Sequence, residues 1–439
     1  MRQIDRRTFL SAALAGLAAR RSCGQTKRPN IVLFLTDDLG YADLGCFGAK
    51  DIRTPNIDRL AARGVRFTQA YSNGPVCTPT RAALMTGRYQ QRLGLEWAIP
   101  PGKRGVGLLP EHATIARRLR DAGYRTAIYG KWHLGYEPEF GPNHHGFEDF
   151  FGILSGNVDH YSHKENNGDA DLYENLQPVR RQGYLTELIA ERAEKFVDRY
   201  HGETFFLYVP FNAVHWPFQA PGRPADIRTK ETWQDGTRAD YVRMVESVDQ
   251  AVGRVLAALD RHNLTRDTLV VFTNDNGGER LSDNLPYFHR KATLWEGGIR
   301  VPAIAVWPER LPAGRTTSQV AASMDFTATI LSAAGITLPS QPPLDGIDLL
   351  PVLKGERPEV KRTLFWRIDR DYRKQKAVRS GNWKFIIDGE IEVLYDLAAD
   401  PSERRTLFYQ HQDVAARLRQ ALRAWEEELA KNPPPFVFK

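Results

Sequence analysis

The chain has 439 residues, too many for one small module and enough for a large α/β domain with a smaller companion. Apolar residues are 42% and charged residues 26%, which excludes a mostly disordered chain. A formal charge of +7 with no long basic block gives no expectation of nucleic acid as a partner, and three cysteines without a C-x-x-C pair exclude a disulfide framework or zinc ribbon.

Residues 1–24 read as an export signal. Asp5-Arg6-Arg7-Thr8-Phe9-Leu10 is a basic start, and an Ala-rich apolar run continues to Ala19. The paired arginines resemble a twin-arginine signal, whose export machinery carries folded proteins. The run is too short and Ala-rich for a good membrane span. Arg20-Arg21-Ser22 is a poor lipobox, so Cys23 is not expected to anchor a lipoprotein. The expected location is periplasmic or secreted. If all 24 residues are removed, five arginines against Asp5 go with them and the charge falls from +7 to +3.

Asn30 to Leu35 is a continuous apolar run, as in a strand buried on both faces. Arg125 to Tyr129, Phe205 to Val209, Leu269 to Phe272 and Ala303 to Trp307 are further short runs. Leu185 to Tyr200 and Tyr241 to Leu259 have helical spacing. The alternation predicts an α/β domain over 28–358, a mostly parallel sheet between helices. Near residue 360 the character changes. Thr363 to Trp366, Lys376 to Arg379, Trp383 to Ile387 and Val393 to Leu397 are short strand candidates, and Ala415 to Leu429 is an amphipathic helix. A smaller antiparallel sheet plus helix is predicted over 359–439.

Sites in open α/β sheets form beyond the carboxyl ends of the strands. Asp37-Asp38 and Asn274-Asp275-Asn276-Gly277-Gly278 both occupy such ends. Two acidic pairs placed so can converge on one hard cation, calcium or magnesium rather than zinc. The same residues can equally cap a helix or make a turn.

Cys77-Thr78-Pro79-Thr80-Arg81-Ala82-Ala83-Leu84-Met85-Thr86-Gly87-Arg88 matches Cys-x-Pro-x-Arg followed by Thr-Gly-Arg, and resembles the signature of the type I, formylglycine-dependent sulfatases. Other segments agree in order: Pro29-Asn30-Ile31-Val32 leading to Asp37-Asp38, Gly130-Lys131-Trp132-His133-Leu134-Gly135, Thr273 to Gly278, and Lys291 to Gly298. The resemblance covers nearly the whole chain after the signal. It implies an alkaline phosphatase-like fold near arylsulfatase A and N-acetylgalactosamine-6-sulfatase.

By that resemblance Cys77 is oxidised to formylglycine by a separate generating enzyme before folding. A hydrated aldehyde offers two hydroxyls on one carbon: one attacks sulfur, and deprotonation of the other releases sulfate, where a serine would stay sulfated. The resemblance assigns one calcium ion to Asp37, Asp38, Asp275, Asn276 and residue 77. Arg81 holds the aldehyde hydrate and the metal carboxylates, Lys131 neutralises sulfate oxygens, Lys291 contacts the sulfate and the leaving oxygen, His133 assists proton removal and His215 is the candidate acid. A helix starting at Cys77 puts Arg81 on the same face, and Lys131 and His133 are read on one side of an extended segment. Asn157 and His160, in a polar Gly-containing loop, are expected near the sugar. His144, His145, His160 and His163 fit no zinc spacing. Cys46 reads as a packed thiol. A sulfated carbohydrate or other sulfate ester is the expected substrate. Two alternatives share the fold: a phosphonate monoester hydrolase or phosphodiesterase, and a catalytically silent binder of sulfated glycans.

Overall fold

The computed structural model describes residues 28–439. The export-signal reading, including Cys23, falls outside them.

Ten strands form one sheet in the order Arg315–Thr317, Val65–Phe67, Ala303–Val306, Thr268–Asn274, Asn30–Thr36, Phe205–Pro210, Arg125–Lys131, Asp149–Ile153, Tyr173–Glu174 and Gln177–Pro178. The five strands from Thr268–Asn274 to Asp149–Ile153 run parallel. Ala303–Val306 runs antiparallel to Thr268–Asn274 and makes the sheet mixed. The central strands alternate their side chains between two apolar layers, as a period of two requires. Val32 and Phe34 pack with the helices Leu185–Tyr200 and Arg238–Arg261. Ile31, Leu33 and Leu35 pack with the helices Cys77–Thr86, Ile115–Asp121 and Ser323–Ala333. Both faces are covered, which is why the strand sequences are continuously apolar.

A second sheet of four antiparallel strands, Thr363–Arg370, Arg373–Ser380, Trp383–Asp388 and Ile391–Asp396, lies against the helix Gln412–Lys431. Leu418, Leu422 and Trp425 of that helix share a core with Phe385, Leu394 and Trp366 of the sheet. Among the described residues no helix is long and apolar enough to cross a membrane.

Candidate active site

The carboxyl ends of adjacent parallel strands supply the site. Asp37 and Asp38 follow Asn30–Thr36, and Asp275 and Asn276 follow Thr268–Asn274. Lys131 is the last residue of Arg125–Lys131, and His215 lies just beyond Phe205–Pro210. Asn274 ties the first two ends together. Its Oδ1 accepts hydrogen bonds from Thr36 Oγ1 at 2.8 Å and from the Leu39 N–H at 3.2 Å, while Nδ2 donates to the Leu39 carbonyl at 2.9 Å.

Cys77 opens the helix Cys77–Thr86, and Arg81 stands one turn later on the same face. Arg81 donates from Nε and Nη2 to Asp275 Oδ2 at 3.1 and 2.9 Å, and from Nη2 to Asp37 Oδ2 at 3.3 Å. Its Nη1 donates to the Lys131 carbonyl at 3.0 Å. Lys131 Nζ binds Asp37 Oδ2, and Lys291 Nζ binds Asp38 Oδ2 at 2.7 Å. The Cys77 sulfur lies 3.5 Å from Asp37 Oδ1. Three carboxylates therefore face three cations, and all but Lys291 are at most 1% exposed.

Burial raises the Cys77 thiol, and repulsion from Asp37 adds to it. Burial also raises the carboxyls of Asp38 and Asp275, each with a second carboxylate close by. For Lys291, burial disfavours the charged form, but attraction to Asp38, Cys77 and Asp37 outweighs it and raises the pKa. The buried thiol is thus a poor nucleophile as it stands.

Asp37, Asp38, Cys77 and His215 each present a ligand atom within 4.8 Å of one another, and this is the one such group of three or more among the described residues. Asn276 Nδ2 donates to Asp38 Oδ1 at 2.7 Å, while its buried Oδ1 has no hydrogen-bond partner among the described residues. Three carboxylates and a spare amide oxygen form a hard donor set that fits a divalent cation of the calcium or magnesium kind. The histidines His144, His145, His160 and His163 form no such group.

Both histidines beside the cluster have one ring nitrogen held. His133 Nε2 lies 2.8 Å from the Ile99 carbonyl and donates to it, so Nδ1 carries the lone pair. That Nδ1 is buried and has no partner among the described residues. His133 is not extended as the sequence suggests: its φ is +57°, and the strand ends at Lys131. The left-handed turn lets its ring reach Gly156, where an added Cβ would lie 2.8 Å from the imidazole. His215 Nδ1 lies 2.6 Å from the Trp216 carbonyl, and Nε2 lies 3.4 Å from Asp38 Oδ2. Burial first, then the neighbouring cations, hold both imidazoles well below the usual histidine range. Asn157 Nδ2 is 3.1 Å from His215 Nδ1. His160 is buried, stacked on Tyr184 at 5.0 Å, and its Nε2 is 3.4 Å from Asn212 Nδ2. Cys46 is a free thiol, half-buried, beside Asp58.

The family model named Sulfatase matches residues 29–336, most of the chain. The chain belongs to the sulfatase family. A second model, N-sulphoglucosamine sulphohydrolase, C-terminal, matches residues 286–428. N-acetylgalactosamine-6-sulfatase of Canis lupus familiaris is 32% identical over 98% of this chain and 91% of its own. Arylsulfatase A of Homo sapiens is 35% identical over 91% of this chain and 86% of its own. The solved structure of Ps i-CgsB in complex with k-i-k-neocarrahexaose superposes with a TM-score of 0.85 at 32% identity, covering 94% of this chain and 95% of that one. As a sulfatase the protein is a sulfuric ester hydrolase with an alkaline phosphatase-like fold.

Two supporting residues of this sulfatase escape a motif reading. Thr78, the variable position after Cys77, donates from its hydroxyl to the His133 carbonyl at 3.0 Å and accepts the Ile99 N–H at 3.2 Å. Gln375, on the small sheet, accepts the Leu294 N–H at 2.9 Å. A small polar residue inside a signature helix could have flagged Thr78. Nothing local flags Gln375, because its partner is 81 residues away.

Proposed function

We propose that this sulfatase hydrolyses sulfate monoesters on a sulfated sugar or glycan fragment, with Cys77 matured to formylglycine and one calcium ion held by Asp37, Asp38, Asp275, Asn276 and residue 77. The observation that carries the reading is the convergence of Asp37, Asp38, Cys77 and His215 within 4.8 Å, ringed by Arg81, Lys131 and Lys291. When present, the aldehyde hydrate supplies a nucleophile that the buried thiol lacks, and the ion supplies positive charge beside the sulfate.

The chain's own residues do the rest. Lys131 and Lys291 bring two ammonium groups to one small anion, which favours charge building on the sulfuryl oxygens. Arg81 is fixed by Asp275 and the Lys131 carbonyl, so it orients the group at residue 77 without reorganising. His133 Nδ1 is an unpaired base suited to take a hydroxyl proton. His215 Nδ1 donates to the Trp216 carbonyl, so Nε2 is the nitrogen that takes up a proton and then passes it to the leaving group, with Asn157 beside Nδ1. A sugar substrate is supported by the N-acetylgalactosamine-6-sulfatase relatives and by the neocarrahexaose complex of Ps i-CgsB.

The proposal includes maturation by a formylglycine-generating enzyme before folding, then twin-arginine export to the periplasm. The support for export is the Asp5-to-Ala19 pattern. The test is peptide mass spectrometry around residue 77, from a host that makes the generating enzyme, with a panel of sulfated sugars and phosphate esters assayed side by side. An aldehyde and turnover of sulfate esters are expected. A persistent thiol in active material, or a preference for phosphate, overturns the reading.

A further inference from the structure

Two flanks of the catalytic cluster are held by chain segments that meet each other at the surface. On one flank, Ile99 takes the His133 ring on its carbonyl and the Thr78 hydroxyl on its N–H, and Trp97 lies two residues earlier, within roughly 7 Å along the chain. On the other flank, Arg373 Nη1 donates to the Ala292 carbonyl at 2.9 Å, directly after Lys291. Tyr372 precedes Arg373 at the tip of the hairpin Thr363–Arg370 and Arg373–Ser380.

Trp97 and Tyr372 meet edge to face with ring centroids 6.4 Å apart. The Arg370 guanidinium lies over both rings, 5.2 Å from Trp97 and 5.3 Å from Tyr372. Tyr372 is nevertheless 69% exposed, and Trp97 is only partly buried. Beyond its contacts with Trp97 and Arg370, most of the Tyr372 ring stays in water, so the ring is open to a further apolar surface. The patch is aromatic and carries a guanidinium whose Nη1 donates to the Lys439 carbonyl, a cation suited to planar anionic groups. It also bridges the segments that support His133 and Lys291.

We propose that Trp97, Tyr372 and Arg370 form a glycan subsite at the mouth of the catalytic cluster. There a sugar ring next to the one being desulfated stacks on the aromatic pair, and Arg370 meets a further anionic substituent. The aromatic rings take the apolar face of a pyranose, and the guanidinium gives preference to an acidic or multiply sulfated chain over a neutral one. Because the pair joins two separate segments, a bound oligosaccharide spans both flanks. The subsite rests on the sulfated-sugar reading of the catalytic cluster.

The test uses the full chain, matured at residue 77, with Tyr372→Ala, Trp97→Ala and Arg370→Gln as variants. The readout is the ratio of kcat/KM on sulfated tetrasaccharides from chondroitin and from carrageenan to that on 4-nitrophenyl sulfate. Each variant is expected to lower this ratio about tenfold, and Tyr372→Trp to restore it. Tyr372 is exposed enough that its variants fold even where Trp97→Ala does not. Calorimetric titration of the same tetrasaccharides into the Cys77→Ala chain, with and without Tyr372→Ala, gives a second arm independent of turnover. A ratio within about twofold of the parent, or tetrasaccharide affinity unchanged by Tyr372→Ala, overturns the subsite and leaves the catalytic reading standing. Loss of tetrasaccharide affinity with Tyr372→Ala in a protein that turns over no sulfate ester supports the subsite while the catalytic reading fails.

Discussion

Gln375 Oε1 accepts the backbone N–H of Leu294 at 2.9 Å, so a strand of the small sheet holds the segment that carries Lys291. The same segment is gripped at three more points. Arg373 reaches the Ala292 carbonyl, Glu403 Oε2 accepts the Glu296 N–H at 2.6 Å, and Lys384 Nζ binds Glu296 Oε1 at 2.8 Å. Ala292 sits at φ +66°, which a residue with a Cβ adopts only when its surroundings hold it there. Gln375→Ala leaves a buried N–H unpaired, at a cost of about 1–3 kcal/mol. The expected result is a lower urea midpoint and a fall of roughly tenfold in kcat/KM on an aryl sulfate. An unchanged kcat/KM separates the small sheet from the placement of Lys291.

A Cys77→Ser chain keeps one hydroxyl where the matured residue has two. Burial at the helix start and the contacts of Arg81 do not depend on the sulfur, so the variant is expected to fold. Under the proposed chemistry a serine that attacks sulfate cannot release it by collapsing to an aldehyde. Turnover is expected to fall by roughly a thousandfold or more, with the peptide around residue 77 gaining one sulfo group on incubation with substrate. Turnover equal to that of the parent chain contradicts the assigned role of residue 77.

The strands and the loops that end them were legible because their signals are local. Asn30 to Leu35 is apolar throughout since the strand is covered on both faces, and Asp37-Asp38 breaks that run where the sheet opens to the site. Given a helix starting at Cys77, the four-residue spacing put Arg81 on the same face, and the helix Cys77–Thr86 does start there. What was not legible depends on distance or on backbone turns. The left-handed His133 follows a strand whose pattern gives no warning of it, and the Gln375 contact joins segments 81 residues apart. Trp97 and Tyr372 meet only because the loop before Ile99 comes up against a hairpin tip far along the chain.

Removing a divalent cation is expected to affect both activity and stability. Asp37, Asp38 and Asp275 are buried together, and the Asn276 oxygen beside them accepts nothing among the described residues. An ion that binds the folded chain but not the unfolded one adds about 2.7 kcal/mol at a hundred times its dissociation constant. Dialysis against a chelator is expected to lower Tm and abolish turnover, with calcium restoring both. Asn276→Ala removes the spare oxygen and is expected to raise the calcium concentration needed for half-recovery by about tenfold. Full turnover in chelator contradicts the metal assignment.

Glu165 offers a pH test away from the metal residues. Burial, reinforced by the nearby Asp171, raises its carboxyl from the ordinary 4.5 to about 7. Its Oε2 accepts the Tyr136 hydroxyl at 3.1 Å, and Asp171 accepts the N–H groups of Leu154 and Ser155 at 3.0 and 2.8 Å, just before Gly156 and Asn157. An acid whose folded pKa is raised binds more protons folded than unfolded between the two values, so stability falls as pH rises through that window. Below about pH 4.5 both states are protonated and the penalty is absent; above about pH 7 it is complete, at up to about 3 kcal/mol. Glu165→Gln keeps an acceptor for Tyr136 and cannot ionise. The variant is therefore expected to be more stable than the parent at pH 8, with the gap closing as pH falls towards 4.5. Urea denaturation of both chains at intervals across that range measures the gap, and a gap independent of pH contradicts the raised carboxyl.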